Sequence, residues 1–500
     1  MKKLVLFHYH FLSGGVTTVV RNILWAAEGI DEALLCCDTR MGTSGLASAA
    51  GMPPVHFYHL PEMGYRRRGA YDRSGFQREK KEILKALRKM EGPETLFWVH
   101  NHHLGKNPAF TAALSEYARN GESSLLLQIH DFPECGRWEN YAFLEEYTQE
   151  WYPSGDKVWY AVINRRDQRI LMESGIPRER LFYLPNTVFP DEEPEERSVS
   201  RPEARRAVRD DCLKSGFPFD EKAPLLVYPV RTIRRKNIIE AFLIAFMARS
   251  NIIVTLPANS APERPYEKVV EGLSREPFFH GAWALSRDFP DSFPLVLKAA
   301  DLVLSSSVME GFGLFFLETK MRGANFAART LDVMEDFPGF DREGVYDTLD
   351  VPAAFVEREA LTEQYLRQIE HLPIPEEYAR DLREKTVLWL SNGMIDFASL
   401  DVPRQAAILK ERVAREGVRE AGQDFVRKIL SLTGDYRSQG IELTSFSPRA
   451  HKERVAALLE KISRGGGEEE SWDIDRGGVL SRFLSPERIR LLLDYKGEEK

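Results

Sequence analysis

Two carboxylates with seven residues between them, Glu310 and Glu318, stand in the run Ser305-Ser-Ser-Val-Met-Glu310-Gly-Phe-Gly-Leu-Phe-Phe-Leu-Glu318. The run leaves an apolar strand, passes small polar residues and the turn Gly311-Phe312-Gly313, and enters a segment that reads as a helix from about Leu314. Glu310 then lies in the loop before the helix and Glu318 one turn inside it. Both can reach a ligand at the helix N-terminus, one near a sugar and the other near ribose hydroxyls. Upstream, Tyr228-Pro-Val-Arg231 ends a strand, and Arg234-Arg235-Lys236-Asn237 opens a helix. Guanidinium, ammonium and helix dipole all favour one dianion there, so the segment reads as a phosphate site; a solvated basic loop is the plainer alternative.

The N-terminal half offers three further groups. Ser13-Gly14-Gly15-Val16 follows the first strand, where backbone amides at a helix N-terminus can approach an anion. A tight turn that needs glycine for its dihedrals explains the same residues. Six of the eleven histidines, His8, His10, His100, His102, His103 and His130, lie at or just after the carboxyl ends of three predicted parallel strands. An open α/β sheet binds its ligands at that edge. Hydrogen bonds to sugar or phosphate oxygens are favoured over zinc, because His100-Asn-His102-His103 fits no common structural zinc spacing and no cysteine pair accompanies it. His130-Asp131 follows its strand directly. Finally, Tyr65-Arg66-Arg67-Arg68 and Arg73 fall in a polar stretch before a helix predicted over Glu79–Met90. They are either solvated surface or a grip on a phosphorylated or carboxylated small molecule.

The elements that carry these residues are two series of α/β units. Predicted strands are Lys3–Tyr9, Ala33–Cys37, His56–Leu60, Thr95–His100, Ser124–His130, Val158–Ile163 and Leu181–Leu184, then Leu225–Pro229, Ile252–Leu256 and Asp301–Ser305. Several are apolar without alternation, as strands covered on both faces are. Helices are predicted over Asn237–Ala248 and Ser292–Ala300, and in the tail over Arg404–Glu416, Gly422–Leu432 and Ala450–Ile462. The expected organisation is α/β, with two tandem Rossmann-like doubly wound domains and a helical C-terminal extension. It divides into an N-terminal acceptor domain at 1–190, a linker with the acidic run Asp191–Arg197 at 191–223, a nucleotide-sugar-binding domain at 224–395, and a mainly helical extension at 396–500 that packs in part on the N-terminal domain.

Taken together, the Gly14-Gly15 turn, His130-Asp131, Leu184-Pro185-Asn186, Arg231 with Lys236, and Glu310 with Glu318 resemble the family-4 type of retaining glycosyltransferases with the GT-B fold, a group that is similar to glycogen synthase. The match covers roughly residues 1–330, and the carboxylate motif is its specific element. The resemblance implies a hexosyltransferase in which Gly14 and Gly15 approach the donor diphosphate and His130 touches the transferred sugar. It implies that Arg231 and Lys236 neutralise the leaving group, Glu310 binds the sugar ring and Glu318 the ribose, with Gly311, Phe312, Gly313 and Leu314 around the donor. Asp131 is the nearest candidate for a catalytic nucleophile on the N-domain side, although front-face attack assisted by a donor phosphate is implied instead. The acceptor domain would use His102, His103, Arg66, Arg67 and Arg68. After Glu318 the family's small residue, glycine and proline are replaced by Met321-Arg-Gly-Ala-Asn-Phe-Ala-Ala-Arg329.

Composition narrows the partners. With 68 basic and 76 acidic residues, the net charge of -8 gives no bulk reason to bind nucleic acid. The vicinal Cys36-Cys37 pair argues against a disulfide scaffold. The opening apolar run Leu4–Phe7 is too short for a leader or a span, so a cytoplasmic enzyme is expected. The expected ligands are a nucleotide-diphosphate sugar and a small, possibly anionic acceptor, with no required cofactor or metal and the oligomeric state open. A GT-B epimerase or phosphorylase, or a non-catalytic nucleotide-sugar-binding protein, remains the alternative.

Overall fold

A computed structural model describes residues 1–12, 14–39, 46, 52–189, 199–289, 293–321, 323–337, 342–391, 394–433, 443–465 and 472–497. Ser13 of the glycine turn, the acidic run 191–197 and most of the Gly-Glu stretch at 466–470 lie outside them. The chain divides into two units: the described residues of Met1–Phe189 with Leu443–Phe483, and those of Pro190–Glu442 with Leu484–Lys500.

The first unit is built on seven parallel strands: β1 (Lys3–Phe7), β2 (Glu32–Cys37), β3 (Val55–His59), β4 (Thr95–His100), β5 (Ser124–Ile129), β6 (Val158–Val162) and β7 (Leu181–Tyr183). Their order is β3-β2-β1-β4-β5-β6-β7, so the direction of winding reverses between β1 and β4. The register there runs from Lys3 opposite Thr95 to Phe7 opposite Val99. Leu4, Val5, Leu6 and Phe7, and all of β4, are buried, which is why neither strand alternates apolar with polar. Trp98 and Trp159 fill the sheet interior. On one face the helix Gly15–Ala26 packs through Val20, Ile23 and Leu24 against Val455, Leu458 and Ile462 of the helix Pro448–Arg464, so part of the C-terminal region completes this core.

The second unit has six parallel strands: β8 (Leu225–Arg231), β9 (Asn251–Leu256), β10 (Gly281–Trp283), β11 (Leu302–Ser305), β12 (Phe326–Arg329) and β13 (Val345–Tyr346). They are ordered β10-β9-β8-β11-β12-β13, with the reversal between β8 and β11. A two-residue antiparallel pair, β14 (Asp350–Val351) and β15 (Ile395–Asp396), lies beside them in sequence. Strands β10, β12 and β13 escape the sequence pattern because two to four residues are too few to show a period.

Two expectations about the helices change. Arg73 is not in a loop: it opens the helix Arg73–Met90, capped by the Asp72 side chain. The single helix expected over Arg404–Glu416 is two, Val402–Lys410 and Arg412–Ala421, with Glu411 extended between them. The break has a physical reason. Arg415 turns back to donate to the carbonyls of Leu409 and Lys410, with its guanidinium over the rings of Phe246 and Phe278 at 4.7 and 4.6 Å. All four cysteines are buried. Among the described residues no helix is long and apolar enough to cross a membrane.

Candidate active site

In the second unit the site grows from the switch point between β8 and β11, where both strands end in polar sequence. Pro229 cannot donate to the ladder, and the β8–β9 register shifts between Tyr228 and Arg231. The chain then makes a one-turn 3₁₀ helix, Arg234–Lys236, and Asn237 takes a left-handed conformation (φ 49°) before the helix Ile238–Met247. The residues leaving β11 hold this basic turn by its carbonyls. Ser306 Oγ donates to Lys236 O (3.2 Å) and Asn237 O (2.9 Å), Ser307 Oγ to Arg235 O (3.2 Å), and the Val308 amide to Arg235 O (2.9 Å). From β8, Tyr228 OH donates to Lys236 O at 2.8 Å.

The turn is thereby fixed so that two cations meet one carboxylate. Arg235 Nη1 lies 2.9 Å from Glu310 Oε2 and also donates to Met309 O, and Lys236 Nζ pairs with Glu310 Oε1. Burial would raise the Glu310 carboxyl, but Lys236 and then Arg235 outweigh it and hold the group at about 2. Lys236 shifts downward despite the same pair, because its burial is the largest influence and Arg235 repels it. The shifts of the two partners therefore point the same way for different reasons: two cations share the Glu310 carboxylate, and burial opposes the charge on Lys236. Arg231 is exposed at the end of β8, and its side chain makes no hydrogen bond or ion pair among the described residues.

Other donor-side candidates divide. Glu318 is exposed on the helix Leu314–Met321 and within electrostatic range of Lys236. Gly313 has φ +91°, and a Cβ there would meet the Phe316 ring at 2.9 Å, so the turn into the helix requires glycine. Gly311 and Leu314 flank it, half-buried. The Phe312 ring is buried against Phe337 at 5.6 Å and anchors the loop. The expected anion site at the amides after Asn237 also changes, since Tyr266 OH accepts from both Ile238 N (2.8 Å) and Ile239 N (3.4 Å). Arg234 turns elsewhere, to Glu263 (3.4 Å) and the Tyr495 carbonyl. Arg235, which the sequence offered only as part of the basic run Arg234-Arg235-Lys236, is the arginine that joins Lys236 on Glu310.

In the first unit, Gly14 is extended (φ 172°) and Gly15 begins the helix Gly15–Ala26. Neither has a left-handed φ, a Cβ on Gly15 would meet nothing within 4 Å, and Gly14's nearest neighbour would be Leu12 O at 3.8 Å. Backbone strain thus does not explain the glycines; they leave exposed main chain in open space. The histidines form a linked set. His100 Nδ1 and His130 Nε2 share a hydrogen bond of 3.0 Å, and the His8 ring lies 6.3 Å from His100 and 5.5 Å from His10. The Asn101 side chain accepts from the His130 amide at 2.8 Å. Burial lowers His8 to about 3, His130 to about 4 and His100 well below the usual range, so all three are neutral at neutral pH. Asp131 is paired with Arg137 at 2.5 Å. Among the described residues no three His, Cys, Asp or Glu side chains converge as a metal site.

The acceptor candidates fare differently. His102 and His103 have no exposed surface: His102 Nε2 bonds Trp151 O at 2.8 Å, and His103 packs between the rings of Tyr152 and Phe132. They belong to the core behind the sheet edge. Arg66 has no donor to spare: Nε and Nη2 fork onto Glu79 at 2.9–3.0 Å, Nη1 donates to Gly64 O and Tyr65 O, and Nη2 also to Pro61 O. Arg68 pairs with Glu146 at 3.1 Å on the surface, and Arg67 is exposed.

No family model matches the chain. It is 38% identical over 510 residues to the mannosylglucosyl-3-phosphoglycerate synthase of Petrotoga mobilis, covering 99% of this chain and 100% of that one. Similar solved structures include a glycosyltransferase from Rickettsia africae (TM-score 0.49, 11% identity, 92% of this chain and 98% of that one). Another is Anabaena HepE in complex with UDP and glucose (TM-score 0.47, 13% identity, 92% and 100%). A third is sucrose-phosphate synthase from Thermosynechococcus elongatus (TM-score 0.46, 13% identity, 92% and 99%).

Proposed function

The chain belongs to the family of mannosylglucosyl-3-phosphoglycerate synthase, a glycosyltransferase, and on that premise we propose that it moves a hexose from a nucleoside-diphosphate sugar to a glucosyl-3-phosphoglycerate-type acceptor with retention of configuration. The observation that carries the donor half of this reading is the convergence of Arg235 and Lys236 on Glu310 at the β8/β11 switch point. In the reaction the bond between the anomeric carbon and the diphosphate oxygen breaks, and a bond to the acceptor hydroxyl oxygen forms on the same face. The hydroxyl proton passes to an oxygen of the departing diphosphate. Negative charge grows on that leaving group in the transition state, so Lys236, Arg235 and the unpaired Arg231 favour it over the ground state. Glu310 orients the sugar and Glu318 the ribose.

The test is a matrix of UDP, GDP and ADP sugars against glucosyl-3-phosphoglycerate, read by nucleoside-diphosphate release and by NMR of the new anomeric centre. One donor releases nucleotide only when the acceptor is present, and the product keeps the donor's anomeric configuration. Inversion overturns the retaining mechanism. Acceptor-independent conversion, or transfer to inorganic phosphate, replaces the assignment with an epimerase or a phosphorylase.

A further inference from the structure

The acceptor proposed above carries a phosphate and a carboxylate, and of the arginine run that the sequence offered for them Arg66 is spent on Glu79 and Arg68 on Glu146, with Arg67 exposed on the surface. The same sheet edge holds a better-placed pair. At the β1/β4 switch point, β1 leads into Tyr9-His10, β4 into the loop Asn101–Lys106, and β5 into the loop Asp131–Arg137. Crevices of this kind, outside the carboxyl ends of neighbouring strands, are where open α/β sheets take ligands.

We propose that Lys106 and Arg137 form the subsite that holds the acceptor's anionic group. The Lys106 ammonium lies 5.4 Å from the centroid of the Tyr65 ring and has no ion pair among the described residues. Burial first, then the charge of Arg137, destabilise it as an ammonium, while Asp131 and Glu139 act the other way without pairing with it. Arg137 spends one terminal nitrogen on Asp131 and stands at the N-cap of the helix Trp138–Tyr147, where no side chain caps the first turn. Tyr65 joins the two: its ring faces Lys106, its hydroxyl bonds His10 Nε2 at 3.3 Å, and Arg137 acts on it electrostatically. His10 Nδ1 is buried and has no hydrogen-bond partner among the described residues. A bound phosphate or carboxylate supplies the counter-charge that both cations share incompletely.

The arginine run acquires a different role. The Arg66 amide donates to Lys106 O at 2.8 Å, and the Asn107 side chain donates to the carbonyls of Glu62 and Gly64, both at 2.8 Å. With its guanidinium fastened to Glu79, Arg66 keeps Tyr65 against Lys106 and makes no direct contact with substrate.

This inference rests on the anionic acceptor of the proposed function, and its test separates the two. The variants are Lys106→Met, Lys106→Arg and Arg137→Gln; the probes are glucosyl-3-phosphoglycerate, uncharged glucosylglycerol, and 3-phosphoglycerate alone in a binding titration. Lys106→Met and Arg137→Gln raise the KM for the anionic acceptor about tenfold or more, leave donor KM and Tm as in the wild type, and weaken 3-phosphoglycerate binding. Lys106→Arg restores much of the loss. Wild-type acceptor KM and 3-phosphoglycerate affinity in both charge-removing variants overturn the subsite. A wild-type enzyme that prefers glucosylglycerol overturns the acceptor reading, and the subsite falls with it.

Discussion

Replacing Glu310 by glutamine tests the donor cluster on two readouts at once. Lys236 and Arg235, against the opposing effect of burial, hold its carboxyl at about 2, where the ordinary value is 4.5. A difference of ~2.5 pKa units corresponds to about 3 kcal/mol of preference for the ionised form. Glutamine keeps the shape and one accepting oxygen, and it relieves the cost of burying an anion, so the net loss of stability is smaller, about 1–2 kcal/mol. For a domain of this size each kcal/mol moves the midpoint by ~2–4 °C, which sets a fall in Tm of about 2–8 °C. Because the folded value lies below the unfolded one, the carboxylate's contribution is complete above about pH 4.5 and is lost as the pH falls toward 2. The gap between wild type and variant therefore narrows in acid. In the variant the two cations face each other with no anion between them, so a nucleoside diphosphate raises its Tm at least as much as that of the wild type. Turnover nevertheless falls, because the group that orients the sugar is gone. Scanning fluorimetry with and without saturating nucleoside diphosphate, beside steady-state kinetics, reads all three effects. A variant with wild-type Tm, or one that no longer responds to the diphosphate, refutes the reasoning.

Arg66→Ala removes the fork on Glu79 and leaves the carbonyls of Pro61, Gly64 and Tyr65 without that donor, and we expect a loss of about 2–3 kcal/mol in urea unfolding; a loss under ~0.5 kcal/mol contradicts a structural role. Burial holds His8 at about 3 and His102, His130 and His451 at about 4, all below 6.5, so unfolding takes up protons and stability falls as the pH drops from about 6.5 toward 5. Glu134, which burial raises to about 7, works in the opposite direction but offsets only about one proton. The pH dependence of urea unfolding near pH 5.5 should show net uptake of about two or more protons; none, or release, contradicts the neutral histidine set. Arg329, 2% exposed, forks onto Glu240 and Asp396, and Arg490 also reaches Asp396 at 3.0 Å. Arg329→Met leaves the buried Glu240 without its arginine and Asp396 with Arg490 alone, and costs about 3–5 kcal/mol by calorimetry, with partial recovery when Glu240→Gln is added; an unaffected transition contradicts the network.

Much of the scaffold was readable along the chain. The strands β1, β4, β5 and β8 are largely buried, so they appear as mainly apolar runs without strict alternation. The positions of Lys236, Glu310 and Glu318 were readable for the same local reason: each follows the carboxyl end of a strand by a short, fixed distance, and a parallel sheet delivers such residues to one edge. Which charged groups face a ligand was not readable, because that depends on partners distant in sequence. Glu263 and the Tyr495 carbonyl claim Arg234 and so leave Arg235 to join Lys236 on Glu310, although the arginines are adjacent. Glu79 claims Arg66, while Lys106, alone in its loop and unremarkable in sequence, is left beside Arg137 with no carboxylate of its own. His102 and His103 look like ligand residues in a one-dimensional pattern, yet the chain that follows β4 folds them under Trp151 and Tyr152. Covalent order sets where a residue leaves the sheet; the competition among charges for their nearest buried counterparts, settled only when the loops are packed, sets which of them remains available for chemistry.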